Sequence, residues 1–118
     1  MDAVRMVVDY LVSQGFDAYP QVPDERPTDE GDPFVVVELT GGSSPNRFGR
    51  NPTVDCDCWA TSRSGAAQLA SDVADACLAM PERVENVFHS ELSTIYNNPD
   101  PDSGTPRYTV GVDIVAAV

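Results

Sequence analysis

The sequence predicts a single α+β domain over residues 1–118, with two helices packed on one face of a mixed or antiparallel sheet of about five strands. Three observations lead to this fold class. Two segments repeat apolar residues at helical spacing, five shorter segments have the composition or alternation of strands, and no repeat or linker divides the chain. The predicted order is α-β-β-β-α-β-β, and 118 residues suffice for one core.

The first helix is predicted over residues 2–14. Asp2 can cap its start, Gly15 suits its end, and its apolar residues recur at helical spacing. The segment 16–22 follows as a short strand. Its Pro20 lacks a backbone N–H, which favours a place at the edge of the sheet.

Between the first two strands, the segment 23–33 contains three prolines and five acids in "PDERPTDEGDP" and predicts an exposed loop. The apolar run 34–40 predicts a buried strand. The Gly-, Pro- and Ser-rich segment 41–52 then predicts a long loop or hairpin tip. Strand three is predicted over 53–61, where alternate side chains share a face.

The second helix is predicted from about residue 64 to residue 80, with an apolar stripe on one side and Pro81 as its stop. Two more strands follow, an irregular one over 84–96 and a regularly alternating one over 107–115, joined by a turn. Helices and strands in this order favour helices that cover one face of the sheet.

Three cysteines raise the question of a metal or redox site. Cys56 and Cys58 lie on the small apolar face of strand three, and Cys77 lies on the apolar stripe of the second helix. This placement predicts buried thiols that act as small hydrophobic residues. A metal site would need a further ligand, and His89, the only histidine, has no ligand spacing around it and is expected to be partly buried and structural.

Charge excludes several classes of function. The chain has 19 acidic residues and 7 cations, all arginines, for a net charge of −12. Such a chain repels the nucleic-acid backbone, and without lysine it has no P-loop or Schiff-base residue. No G-x-S-x-G and no nucleophile paired with His89 is visible. We therefore expect no enzyme, no cofactor, no bound metal and no membrane partner.

Trp59 is unusual because it lies on the face of strand three opposite the cysteines, between Asp57 and Thr61. One explanation is that another part of the chain, such as the first helix or a loop, covers this face of the strand. A subunit interface is the other, and we favour it because tryptophan is enriched at interface hot spots.

The segments "LVSQGF", "PFVVVELTGG", "NPTVDCDCWATSRSGAAQLASDVADAC" and "PRYTVGVDIVAAV" together resemble the tail terminator, or tail completion, proteins of long-tailed bacteriophages. The resemblance covers nearly the whole chain. It implies a structural protein of the virion tail or neck, present in the host cytoplasm during assembly. Such proteins form a ring, commonly a hexamer, that caps the tail tube, stops its polymerisation and receives the connector on the head side.

The resemblance implies four kinds of partner: other copies of the chain, the major tail tube protein, the head-tail connector, and DNA that only passes through the lumen. Complementary charge is expected where subunits meet. The expected interface residues are Trp59, Asp55, Asp57, Arg47, Arg50 and Phe48. The expected acidic ring or lumen residues are Asp24, Glu25, Asp29, Glu30 and Asp32.

Three other functions remain open at this point. A head-closure or connector protein of the phage neck would share size and acidity with a terminator. An acidic DNA mimic would be expected to place its acids in two rows on one rigid surface, whereas five acids here crowd a Pro-rich loop. A small metal-binding enzyme would use Cys56, Cys58 and His89.

Overall fold

A computed structural model describes residues 2–24 and 32–117. Within these ranges the chain forms a single compact α+β domain, which confirms the predicted fold class. The helices are α1 (Ala3–Ser13), α2 (Arg63–Leu78) and a short α3 (Met80–Arg83), and the strands are β1 (Ala18–Tyr19), β2 (Phe34–Asn46), β3 (Gly49–Trp59), β4 (Val87–Asn97) and β5 (Arg107–Ala117).

The described strands form one mixed sheet in the order β1-β2-β3-β5-β4. β1 runs parallel to β2 at the edge, as Pro20 suggested, and the other neighbours are antiparallel. The register between β4 and β5 shifts twice, between Val87 and His89 and between Leu92 and Thr94. β4 is therefore the irregular strand that its sequence predicted, and it lies at the other edge.

Both long helices begin where a polar side chain satisfies a backbone donor. Asp2 accepts a hydrogen bond of 3.0 Å from the N–H of Arg5, and Ser62 accepts one of 3.0 Å from the N–H of Gly65. Gly15, with a φ of +95°, follows the end of α1. Pro81 does not simply stop α2, because it lies in the first turn of α3, where the missing N–H of proline is tolerated.

The core lies between the sheet and the two long helices. Tyr10 of α1 donates a hydrogen bond of 2.6 Å to the carbonyl of Ala76 in α2, which ties the helices together. Ser90 of β4 donates one of 2.7 Å to the carbonyl of Cys77. The central buried side chains come from the three helices and from strands β2, β3 and β5: Val7, Leu11, Val35, Val37, Val54, Cys56, Cys58, Ala70, Val73, Cys77, Met80, Val110, Val112 and Ile114.

The prediction of a long loop over 41–52 is wrong for most of its length. β2 and β3 continue through this segment as a paired hairpin that turns at Arg47 and Phe48. Glycine, proline and serine have low strand propensity. However, β3 pairs with β5 from Gly49 onward, and β2 in turn pairs with β3, so the segment is extended. Only the hairpin tip was predicted correctly.

The described part of the molecule is elongated, with extents of 43 × 25 × 24 Å. No helix in the described ranges has the length and apolar character needed to span a membrane.

Candidate functional site

The side of the sheet that faces away from α1 and α2 contains three of the six predicted interface residues, Asp55, Asp57 and Trp59. In β3, Asp55, Asp57 and Trp59 alternate with the buried residues Val54, Cys56 and Cys58. The strand register places side chains from β2, β5 and β4 beside them. We call this surface the open face; it comprises Phe34, Val36, Glu38, Thr53, Asp55, Asp57, Trp59, His89, Glu91, Thr94, Tyr96, Arg107, Thr109, Asp113 and Val115.

Trp59 occupies one end of the open face and is only 2% exposed. Its ring stacks on Phe34, with centroids 5.4 Å apart and ring planes 12° apart. The guanidinium of Arg107 lies 5.0 Å from the centre of the Trp59 ring, and Tyr19 meets Phe34 edge-on at 6.1 Å. These contacts form a second, small apolar cluster that is separate from the main core.

This burial agrees with the explanation in which the chain itself covers Trp59, although α1 is not the covering element, because it packs on the cysteine side. A subunit contact at Trp59 stays a prediction. With 2% of its surface exposed, Trp59 presents little area to a partner, so a contact here needs a rearrangement of the cluster.

Four acidic side chains occupy the middle of the open face. Glu38 lies directly opposite Asp55, and Asp113 lies opposite Thr53, across the neighbouring strand pairs. Asp57 accepts a hydrogen bond of 2.7 Å from the hydroxyl of Thr109, and Asp113 accepts one of 2.7 Å from the hydroxyl of Thr53. These hydrogen bonds fix the direction of two carboxylates, so the negative charge has a defined position on the sheet.

The environment of Asp55 disfavours its charge. Partial burial raises the pKa of the Asp55 carboxyl above its ordinary value, and the nearby negative charges of Asp57 and Glu38 raise it further. Like charges directly opposite each other in an antiparallel pair also destabilise the sheet. The open face is therefore electrostatically strained when its acids are ionised.

The hairpin end, residues 41–50, has the opposite character. Arg47 lies at the turn with its guanidinium 5.5 Å from the centre of the Phe48 ring, and Phe48 is 73% exposed. Arg50 donates hydrogen bonds to the carbonyls of Asn46 at 3.0 Å and Gly49 at 2.8 Å. The N–H of Phe48 donates to the side-chain oxygen of Asn46 at 2.8 Å. The hairpin end thus presents an aromatic ring and two cations on an ordered turn.

The predicted acidic ring or lumen surface is described only at its two ends. Asp24 and Asp32 are exposed, as the loop prediction required. Glu25, Asp29 and Glu30 lie outside the described residues, so their predicted role stays a prediction.

All three cysteines are fully buried and free, which confirms that they are part of the core. The described residues contain no group of three or more histidine, cysteine, aspartate or glutamate side chains arranged to hold a metal ion. His89 is not the partly buried histidine that we expected; it is exposed, with Nε2 3.5 Å from a carboxylate oxygen of Glu91. The structure therefore does not bring His89 into the cysteine cluster.

The thiols are expected to react only when the chain unfolds. A hydrogen bond with Cys77 and burial raise the pKa of Cys56 well above its ordinary value, and burial raises that of Cys58. Because the thiolate is the reactive form, native protein should take up almost no maleimide, while protein in guanidinium should label at three sites. Mass spectrometry counts the labels, and fast labelling of native protein would contradict the assignment to the core.

Sequence reasoning did not identify several residues of these surfaces. Arg107 and Phe34 hold Trp59, and Glu38 and Asp113 complete the acidic middle of the open face. The alternation within strands 34–40 and 107–115 indicated which of these side chains share a face. The register between the strands, which decides the neighbours, has no local signal in the sequence.

The chain thus presents two unlike surfaces, an acidic open face and a cationic, aromatic hairpin end. No protein-family model and no curated protein matches the chain, so its function has to be inferred from these two surfaces.

Proposed function

We propose that this protein is a phage tail terminator, a structural protein that forms a ring on the end of the tail tube. The main support for the proposal is the composition of the hairpin end. It holds a 73% exposed Phe48 beside Arg47 at the tip of an ordered strand pair. An exposed aromatic residue with an adjacent arginine has the composition of an interface anchor.

The rest of the molecule supports an assembly role. A closed ring of identical subunits needs two different surfaces on each subunit, so that each copy contacts the next in the same sense. The hairpin end and the open face differ in charge and lie on a single domain. The resemblance of nearly the whole sequence to tail terminators supports the same function.

The proposed partners follow from this role. Copies of the chain build the ring, the major tail tube protein lies on one side, and the head-tail connector docks on the other. DNA passes through the lumen without binding, since a chain with a net charge of −12 repels its backbone. The proposed locations are the virion tail or neck and, during assembly, the host cytoplasm.

The open face also favours a second candidate, an acidic DNA mimic. Its carboxylates lie in neighbouring rows on a rigid sheet, on Glu38 of β2, Asp55 and Asp57 of β3, and Asp113 of β5. A mimic would bind a DNA-binding protein in competition with DNA. Acidic mimicry alone does not account for the exposed Phe48 and Arg47, whereas a subunit contact does, which is why the terminator is preferred.

Electron microscopy of a phage that carries a stop codon in this gene tests the proposal. We expect DNA-filled heads beside unjoined tails of uncontrolled length, and restoration when purified protein is added before the tubes overgrow. Tails of normal length with unjoined heads would assign the protein to head closure instead. Normal, infectious particles would overturn any structural role in the neck.

A further inference from the structure

We propose that the hairpin end of one copy docks on the open face of the next copy and so forms the subunit contact of the ring. This inference rests on the proposed function and names the two surfaces that meet. The occupant of the open face is therefore a second copy of this chain.

Charge complementarity identifies the occupant. From Leu39 to Val54 the chain contains no acidic residue but carries Arg47 and Arg50, two of its seven cations. The chain as a whole has a net charge of −12, so this segment is a cationic element on an acidic protein. Such an element is attracted to an acidic surface of another copy, and the open face is such a surface.

Among residues 2–24 and 32–117, no arginine forms an ion pair with the crowded acids Glu38, Asp55 and Asp113 of the open face. Glu38 lies opposite Asp55, and Glu91 lies opposite Asp113, so two like-charge pairs share one sheet surface. Among the residues that the structure describes, ion pairs join Arg5 to Asp9 and His89 to Glu91, and neither reaches Glu38, Asp55 or Asp113.

Arg107, the arginine of the open face, lies at the Trp59 end, away from the Glu38–Asp55 and Glu91–Asp113 pairs. Its guanidinium lies over the Trp59 ring, and its Nε donates a hydrogen bond of 2.8 Å to the carbonyl of Asn98. A cation supplied from outside would therefore relieve the repulsion at Glu38 and Asp55.

The hairpin end lies far from the Glu38–Asp55 pair of its own open face. Gly49 and Asp55 lie six residues apart on the same strand, which is about 20 Å of extended chain. Side chains alternate along a strand, so Arg50 lies on the opposite side of β3 from the open-face residues. There it borders a hollow with Ala3 and Pro52 on the helix side of the sheet. A contact between the hairpin end and these acids therefore joins two copies, and when each copy docks on the next in the same sense such a contact can close into a ring.

The hairpin end has an ordered turn, and both surfaces expose apolar side chains that a contact could bury. The hydrogen bonds of Arg50 and Phe48 with Asn46 and Gly49 order the turn before docking, so little conformational entropy is lost on binding. Phe48 is largely exposed, and the open face offers the partly exposed apolar side chains of Tyr96 and Val115. Burial of these groups adds an apolar contribution to the charge attraction.

Charge reversal tests the contact in solution. We expect Arg47→Glu/Arg50→Glu and, separately, Glu38→Arg/Glu91→Arg to weaken self-association at least tenfold by sedimentation. A chain that carries all four changes should regain association within about threefold of wild type, because the two surfaces are complementary again. Arg63→Glu, which reverses one exposed arginine at the start of α2 and outside both surfaces, is the control for a single charge reversal and should associate normally.

Disulfide trapping tests the same contact by position. The native thiols are buried, so Ser44→Cys in the hairpin end and Thr94→Cys on the open face, both exposed, supply the reactive pair. Mild oxidation of a chain with both changes should give a ladder of linked subunits. The control pairs Ser44→Cys with Ser71→Cys on the exposed side of α2 and should give none.

The outcomes separate this inference from the proposed function. Association that survives both charge reversals, or trapping that is equal in the test and control pairs, would overturn the docking but leave the ring intact. Loss of association in both reversals without recovery in the fourfold variant would also overturn it. A wild-type chain that forms no ring alone or on purified tail tubes would overturn the proposed function and this inference together.

Discussion

Replacement of Trp59 by alanine is expected to lower the free energy of unfolding by about 3–5 kcal/mol. The change removes a side chain that is 2% exposed and leaves a cavity beside Phe34 and beneath the Arg107 guanidinium. Since a domain of this size is stable by about 5–15 kcal/mol, the loss is a large fraction of the total. Urea unfolding followed by circular dichroism measures it.

Phe48→Ala is the matched control for Trp59→Ala, because it also removes an aromatic ring, but one that is 73% exposed. Its effect on the free energy of unfolding should stay within about 0.5 kcal/mol. A Trp59→Ala chain that unfolds like wild type but no longer self-associates would contradict the intramolecular role and support the subunit contact.

Gly42→Ala is expected to destabilise the hairpin by roughly 2–3 kcal/mol. Gly42 has a backbone φ of +129°, which residues other than glycine rarely adopt. A Cβ at this position would lie 2.5 Å from the Asn51 carbonyl oxygen and 2.6 Å from the Pro52 Cα. Both clashes involve backbone, so β3 would have to move. The shift in the midpoint of urea unfolding measures the cost.

The neighbouring Gly41 provides the control for this change. A Cβ at Gly41 meets no atom within 4 Å, so Gly41→Ala should be close to neutral or slightly stabilising. Equal effects of the two substitutions would show that the backbone geometry at Gly42 is not required for the hairpin.

Local chemistry explains what could be predicted from the sequence. Asp2 and Ser62 precede the two long helices, where a side-chain acceptor is favoured. The spacing of apolar residues along the sequence distinguishes α1 and α2 from the strands. The alternation of Cys56 and Cys58 with acids placed the thiols in the core for the same local reason. These signals need no knowledge of distant residues.

The features that could not be predicted depend on pairing between distant segments. The strand character of 41–52 comes from contacts with β5, more than fifty residues away, which override an unfavourable composition. Glu38 and Asp55 become neighbours only through the register of β2 and β3. The environment of Trp59 likewise depends on strand pairing, which places Phe34 and Arg107 beside it.

The interrupted ladder of β4 affects how the protein behaves at high concentration. β4 lies at an edge of the described sheet, and an uninterrupted edge of eleven residues would be a template on which further chains add without limit. The shifts at Val87/His89 and Leu92/Thr94 break the repeat of donors and acceptors, and the exposed Glu91 between them repels a second copy of the same edge. We therefore expect edge-to-edge addition of chains at β4 to be disfavoured in concentrated protein.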